Sequence, residues 1–250
     1  MIQKNTRDTA LVKSDYDKNA ESYDRVRFGT PGGQYVNAKE QDFVASIIGV
    51  FSVLEVGTAS GRFAASLINR GSEYTGIDLS QKMLRATKER TNHAASLVQM
   101  DACQLGFRSY FDDVLCMRTF HFLPKPVEAL QGMLAALKPS GECLVTFETD
   151  NLFRRFLLFF GIGTSEQYYY KIPDVEDMFE KAGFKVTRSG HVMRIPVTAY
   201  RRCPKSLLPI LKGLERLWPW PMHEYVLGEA PLEKVRNLES DYHYPGTLTD

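Results

Sequence analysis

Three acids, Glu55, Asp78 and Asp101, each lie in or at the end of an apolar run, and the small residues Gly57, Ala59 and Gly61 fall between the first two. A carboxylate accepts hydrogen bonds from two neighbouring hydroxyls at once, as a ribose presents them. Asp78 lies 21 residues beyond Gly57, about where a ribose-binding acid belongs in a doubly wound nucleotide fold. His121, in Arg118-Thr119-Phe120-His121-Phe122-Leu123-Pro124, offers an imidazole that could take a proton from a hydroxyl, thiol or ammonium group. The alternatives are structural. Asp78 and Asp101 could cap helices, Glu55 could hold loop N–H groups, and His121 could pack between its two phenylalanines.

The elements that must position these groups can be read beside them. Val53, Leu54 and Val56 suit a strand covered on both faces, Gly57 permits a sharp turn, and the chain from Arg62 reads as a helix whose free N–H groups face the loop. A phosphate-cradling loop would end in Gly-Lys-Ser/Thr, but Gly61 is followed by Arg62-Phe63. The dinucleotide fingerprint would need a small residue at 62, where Arg62 stands. Apolar runs predict strands near 50–56, 73–78, 96–100, 112–117, 141–148, 184–198 and 223–230. Helices are predicted near 35–49, 61–70, 80–92, 125–138, 173–183 and 204–217. Strands alternating with helices imply a parallel sheet wrapped by helices, an α/β fold.

The segment from Val53 to Ala64, with Glu55 two places before Gly57, resembles motif I of the class I S-adenosylmethionine (SAM)-dependent methyltransferases. Further segments extend the resemblance over about residues 16–200: Tyr74–Ser80, Leu97–Ala102, Phe111–Met117, Leu137-Lys138-Pro139-Ser140-Gly141, with Ser140 where glycine is usual, and the late helix ending Ala182-Gly183-Phe184. It points to the small-molecule, type 11 (UbiE-like) group. Such a resemblance implies a Rossmann-like, seven-stranded, mostly parallel sheet with an antiparallel last strand, helices on both faces and lid insertions after strands five and six. It implies SAM as cofactor, contacted by Glu55, Gly57, Thr58, Ala59, Gly61, Asp78, Leu79, Met83, Asp101, Ala102, Met117 and Arg118, with Asp101 accepting the adenine amino group. Tyr16–Asp24 is similar to the entry segment that folds over the cofactor in many such enzymes. Tyr23 there is a candidate for the methionine part, with Arg25 and Arg27 as partners for its carboxylate.

Composition fits one enzyme domain. With 250 residues, 44% of them apolar, the chain can bury one sizeable core. The expectation is a single domain over 1–240 with cap helices at about 10–50, a lid insertion at about 151–172, a second insertion at about 201–221, and a flexible tail over 241–250. A net charge of +1 disfavours a nucleic-acid partner. Met1–Ala20 is polar, without the apolar core of a signal peptide, and no run is long enough to span a bilayer. Cys103, Cys116, Cys143 and Cys203 form no CxxC pair, so free thiols in a reducing cytoplasm are expected and no metal is implied.

The acceptor is read from the insertions. Asn151–Gly163 and Tyr168–Tyr170 are rich in large apolar groups, which suggests a hydrophobic small-molecule acceptor of quinone-, lipid- or polyketide-like type. Arg201–Pro221 mixes leucines and tryptophans with basic residues, the pattern of an amphipathic helix packed on the domain or lying at a membrane surface. A tRNA or protein methyltransferase and a non-catalytic SAM-binding scaffold are the competing readings.

Overall fold

The computed structural model describes residues 9–160 and 167–232. The tail expected over 241–250 lies outside the described residues.

Seven strands form one sheet: β1 (Ser52–Val56), β2 (Glu73–Asp78), β3 (Ser96–Gln99), β4 (Phe111–Cys116), β5 (Leu137–Glu148), β6 (Lys185–Met193) and β7 (His223–Glu229). Their order is β3-β2-β1-β4-β5-β7-β6. The first five strands pair in parallel, and β7 runs antiparallel between β5 and β6. Chain order reverses at β1, which lies between β2 and β4, and ligands of open α/β sheets bind at the carboxyl ends of strands beside such a reversal.

Every residue of β1 is buried, because both faces of the sheet are covered. Leu54 and Val56 face one side, where they join Val114, Cys116 and residues of α6 (Pro126–Ala136) and α8 (Ile172–Ala182). Val53 faces the other side, with Val44 of α3 (Pro31–Ala45) and Phe63 and Leu67 of α4 (Arg62–Asn69). The remaining crossover helix of the nucleotide-like half is α5 (Gln81–Arg90), whose N-cap Ser80 accepts a hydrogen bond from Met83 N–H at 3.1 Å. Ahead of the sheet lie α1 (Thr9–Asn19) and α2 (Tyr23–Phe28), which cross the sheet edge above the β1 loop.

The insertions depart from expectation. The strand predicted over 184–198 stops at Met193, and Pro196 N-caps a helix, α9 (Val197–Arg202). The helix predicted over 204–217 is shorter, a turn at Lys205–Leu207 followed by α10 (Leu208–Glu215), because Pro204 and Pro209 fix the helix starts. Tyr200 and Leu208 pack with Val36, Val192 and Met193, while Leu207, Ile210, Leu214 and Leu217 remain exposed. After β5 the chain forms α7 (Leu152–Phe159), capped by the Asn151 side chain, which accepts from Arg154 N–H at 2.8 Å. Arg154 is the buried residue of this helix. With that side chain inward, Leu152, Phe156 and Phe159 point to solvent, together with Phe160 beyond the helix end.

Candidate functional site

The loop after β1 is built from backbone conformations that favour glycine. Gly57 has φ +79°, and a Cβ there would come within 2.2 Å of Thr119 Oγ1. Gly61 has φ +73°, and a Cβ would meet Thr87 Cγ2 at 2.6 Å. Ala59 takes the left-handed region without being glycine, at φ +48°. Its strained backbone is tied at both ends: its N–H donates to Asp78 Oδ2 at 2.9 Å and its carbonyl accepts from Thr87 Oγ1 at 2.7 Å. Asp78 Oδ1 accepts from Ser80 N–H at 2.8 Å, so one carboxylate sets the turns after β1 and β2 together. Burial raises the Asp78 carboxyl above its ordinary range, opposed by these two N–H donors.

Around this loop a cleft encloses about 1000 Å³ of empty space, counted out to its mouth. Glu55, Gly57, Thr58, Ala59, Asp78, Leu79, Asp101, Ala102, Met117, Arg118 and Tyr23 all line it. Gly61 and Met83 do not: Gly61 packs against Thr87, and Met83 lies on the buried face of α5. Asp101 also caps the turn after β3, accepting from Cys103 N–H at 2.9 Å. Val12, Tyr16, Tyr23 and Arg27 of the first two helices form the roof, whereas Arg25 is exposed and lies outside it. Two side-chain bonds fasten that roof to the sheet edge. Ser80 Oγ donates to Asp17 at 2.5 Å, and Asp24 accepts from Ser60 Oγ at 2.6 Å and pairs with Arg90.

Glu55 lies at the bottom of the cleft, buried. It accepts from Tyr74 Oη, and from Thr58 Oγ1 at 3.3 Å. Burial pushes its carboxyl up to about 8, even though the Tyr74 hydrogen bond favours the anion.

A second cavity of about 1360 Å³ adjoins the first, and Tyr16, Tyr23, Arg27, Arg118 and Phe122 belong to both. His121, Glu148, Arg154, Tyr169 and Arg201 line only the second. Arg118, after β4, has φ +56°, the backbone strain that clusters at functional positions. Its guanidinium reaches Glu40 at 3.1 Å and Glu148 at 3.4 Å. Arg62 holds Glu40 at 2.6 Å, and Arg154 pairs with Glu148. Burial would raise both carboxyls, but Arg62 and Arg118 at Glu40, and Arg154 and Arg118 at Glu148, overcome it and hold each at about 2. His121 is buried with its Nδ1 unpartnered, and burial, helped by the Arg118 and Arg154 charges, pushes it down to about 3. It is therefore a neutral imidazole at ordinary pH.

Several of these residues went unmarked in the sequence. Glu148 ends a strand as Asp78 does, so the same rule of acids at strand ends would have found it. Tyr16 stood inside the N-terminal segment already singled out. Glu40 carries no local signal, and Arg154 and Arg201 were read only as parts of the two insertions, since only folding brings their helices together.

Residues 54–145 match the profile of the family described as "Methyltransferase domain". Over 147 residues the chain is 28% identical to the ubiquinone biosynthesis O-methyltransferase of Psychrobacter cryohalolentis, covering 56% of each chain. The chain spans about half the length of the curated relatives it matches. Among solved structures, the magnesium protoporphyrin IX methyltransferase of Synechocystis, with bound SAH, superposes with a TM-score of 0.66 at 14% identity, covering 89% of this chain and 99% of that one. The [4+2]-cyclase SpnF superposes at 0.67 with 18% identity, covering 88% and 95%. Residues 54–145 thus carry a SAM-dependent methyltransferase domain, and the chain has the Rossmann-like fold of its structural neighbours. The likeness to a cyclase shows that this fold by itself does not fix the reaction.

The first cleft fits SAM by its own chemistry. Its edge presents a carboxylate at the end of β2 and another just beyond β3, groups able to accept from hydroxyls and an amine, with Leu79, Met100, Ala102 and Leu123 as apolar walls wide enough for a base.

Proposed function

We propose that this chain transfers a methyl group from SAM in the first cleft to a small organic acceptor, with a largely apolar body, in the second. The observation carrying this reading is the shared wall: Tyr16, Tyr23, Arg27, Arg118 and Phe122 border both cavities, making one cleft with a donor half and an acceptor half. SAM supplies a sulfonium methyl that is already an activated electrophile, so alignment is the main demand on the protein. Asp78 would bind the ribose hydroxyls, Asp101 the adenine amino group, and Glu55 with the Gly57–Ala59 backbone the methionine end, beside Tyr23. Neutral His121 faces the acceptor half as a hydrogen-bond acceptor that orients a hydroxyl or amine.

The aromatic-rich segment 151–170, expected to cover the acceptor, contributes Arg154, Gln167 and Tyr169 to the cavity wall among its described residues. Tyr16, Tyr23, Phe122, Tyr169 and Val197 give that half its apolar surface. This supports an acceptor with an aromatic or apolar body. The free thiols support a cytoplasmic setting.

Calorimetry with SAM tests the donor half. Micromolar binding is expected, and binding of a nicotinamide dinucleotide with no response to SAM would overturn the reading. Labelled methyl transfer to fractionated extracts tests the acceptor: label is expected in the small-molecule fraction. Label confined to RNA or protein, or SAM binding with no transfer to any fraction, would replace it with the corresponding reading.

A second reading concerns where the acceptor is met. Leu152, Phe156, Phe159, Phe160, Leu217 and Trp220 are exposed, with Phe153 stacked on Trp220 at 5.5 Å. No helix among the described residues is long and apolar enough to cross a membrane. Such a surface, flanked by Arg155 and Arg216, suits peripheral contact with an anionic bilayer. Flotation with anionic vesicles checks it, and a chain that stays wholly in the soluble fraction contradicts it.

A further inference from the structure

The acceptor half carries more positive charge than its own acids neutralise. Among the described residues, four arginines, 27, 118, 154 and 201, line it against two carboxylates, Asp15 and Glu148. Glu148 is already held by Arg118 and Arg154, and Arg118 also binds Glu40. Arg27, from α2, lies over the Tyr23 ring at 4.5 Å and has no carboxylate partner among the described residues. Arg201, from α9, has none either, and its Nε is buried without a hydrogen-bond partner. Burial, then the charges of Arg27 and Arg118, push Arg201 down to about 10, so the cavity resists its own charge. Both arginines are half-buried, and a guanidinium partly withdrawn from water without a counter-ion weakens the fold unless a ligand supplies the missing charge.

We propose that Arg27 and Arg201 bind an anionic group, a carboxylate or a phosphate, carried by the methyl acceptor. The planar fork of a guanidinium matches both anions. The acceptor is then an amphiphile, its apolar body against the aromatic wall and its anionic end at the mouth beneath α2 and α9. This inference rests on the second cavity being the acceptor half. Arg201 carries the test, because Arg27 also borders the donor half, where the methionine carboxylate could claim it.

The experiment is calorimetric titration of the full chain, with and without S-adenosylhomocysteine, using phenylacetate, phenyl phosphate and neutral phenylacetamide as probes. At least one anion is expected to bind about tenfold or more tightly than the amide. Arg201→Gln is expected to abolish that preference, leave S-adenosylhomocysteine affinity unchanged and leave the melting temperature of the free protein equal or higher. Arg201→Lys is expected to keep part of the preference. The stronger of the two anion arms distinguishes a carboxylate from a phosphate acceptor. Equal affinity for anions and amide, no anion binding in either condition, or a preference that survives in Arg201→Gln overturns the proposal. If S-adenosylhomocysteine binds in those cases, the methyl-donor reading stands. If it fails to bind while the anion preference still depends on Arg201, the donor reading falls and the anion site remains.

Discussion

Glu55 combines two tasks that pull on its charge. Its carboxyl is buried and raised to about 8, so the folded state keeps a proton that the unfolded state has lost above its ordinary value of 4.5. Its contribution to stability is therefore fully present below about 4.5 and is lost as pH rises through about 8. Glu55→Gln keeps the shape of the neutral acid, and its denaturant midpoint is expected to vary less between pH 5 and 9 than that of the parent protein. A parallel pH dependence in both would contradict the assignment. Ser140, where related turns carry glycine, has φ +59° and is exposed, and its N–H donates to Ala230 O at 3.0 Å, a bond that any residue there keeps. Ser140→Gly should gain about 1 kcal/mol, the left-handed penalty less the added freedom of the unfolded chain. Thermal melting measures it, and a lowered midpoint would contradict the strain. His121, held neutral down to about 3, is expected to add no inflection to kcat between pH 5 and 8. An inflection near 6.5 that vanishes in His121→Ala would instead make it a proton acceptor.

Among the elements, charged side chains fasten the roof and orient the insertion helix α7. The roof, α1 and α2, is fastened through Asp17 to Ser80 and through Asp24 to Ser60 and Arg90, all at the rim of the donor cleft. Asp24→Ala should loosen it: hydrogen exchange over residues 9–28 accelerates, SAM binds about tenfold more weakly, and the global melting temperature barely changes. Exchange that stays slow with unaltered affinity would assign the roof's stability to packing around Val12 and Tyr16. In α7 the orientation follows from one residue. Arg154 turns inward to Glu148, and the helix period then sends Phe156 and Phe159 outward. The pattern of large apolar residues looked like a lid, but a buried charge decided which face went in.

On the scale of the molecule, the Glu40 and Glu148 network joins α3, α4, the turn after β4, β5 and α7. Both carboxyls are depressed to about 2, so their stabilisation is present above about 4.5 and is lost as pH falls through about 2. Glu40→Gln leaves Arg62 and Arg118 short of a counter-charge in the interior and is expected to cost about 3–5 kcal/mol. Urea unfolding at neutral pH tests this, with a loss below about 1 kcal/mol as the contrary result. Much of the rest was legible in the sequence. The β1 loop, the acids Asp78 and Asp101 at or just beyond strand ends and the alternation of strand and helix are local signals, written in residue types a few positions apart, and they marked residues that line the first cleft. Strand order, the antiparallel β7, the break of the second insertion into α9 and α10, and the meeting of Glu40, Arg118, Glu148, Arg154 and Arg201 depend on contacts between residues far apart in the chain. The sequence by itself determined the β1 loop and the strand-end acids that line the first cleft, because backbone turns and strand-end acids act locally. Only the tertiary structure decided what surrounds the second cavity, because the charge of that cavity is a sum over helices that nothing short of the fold brings together.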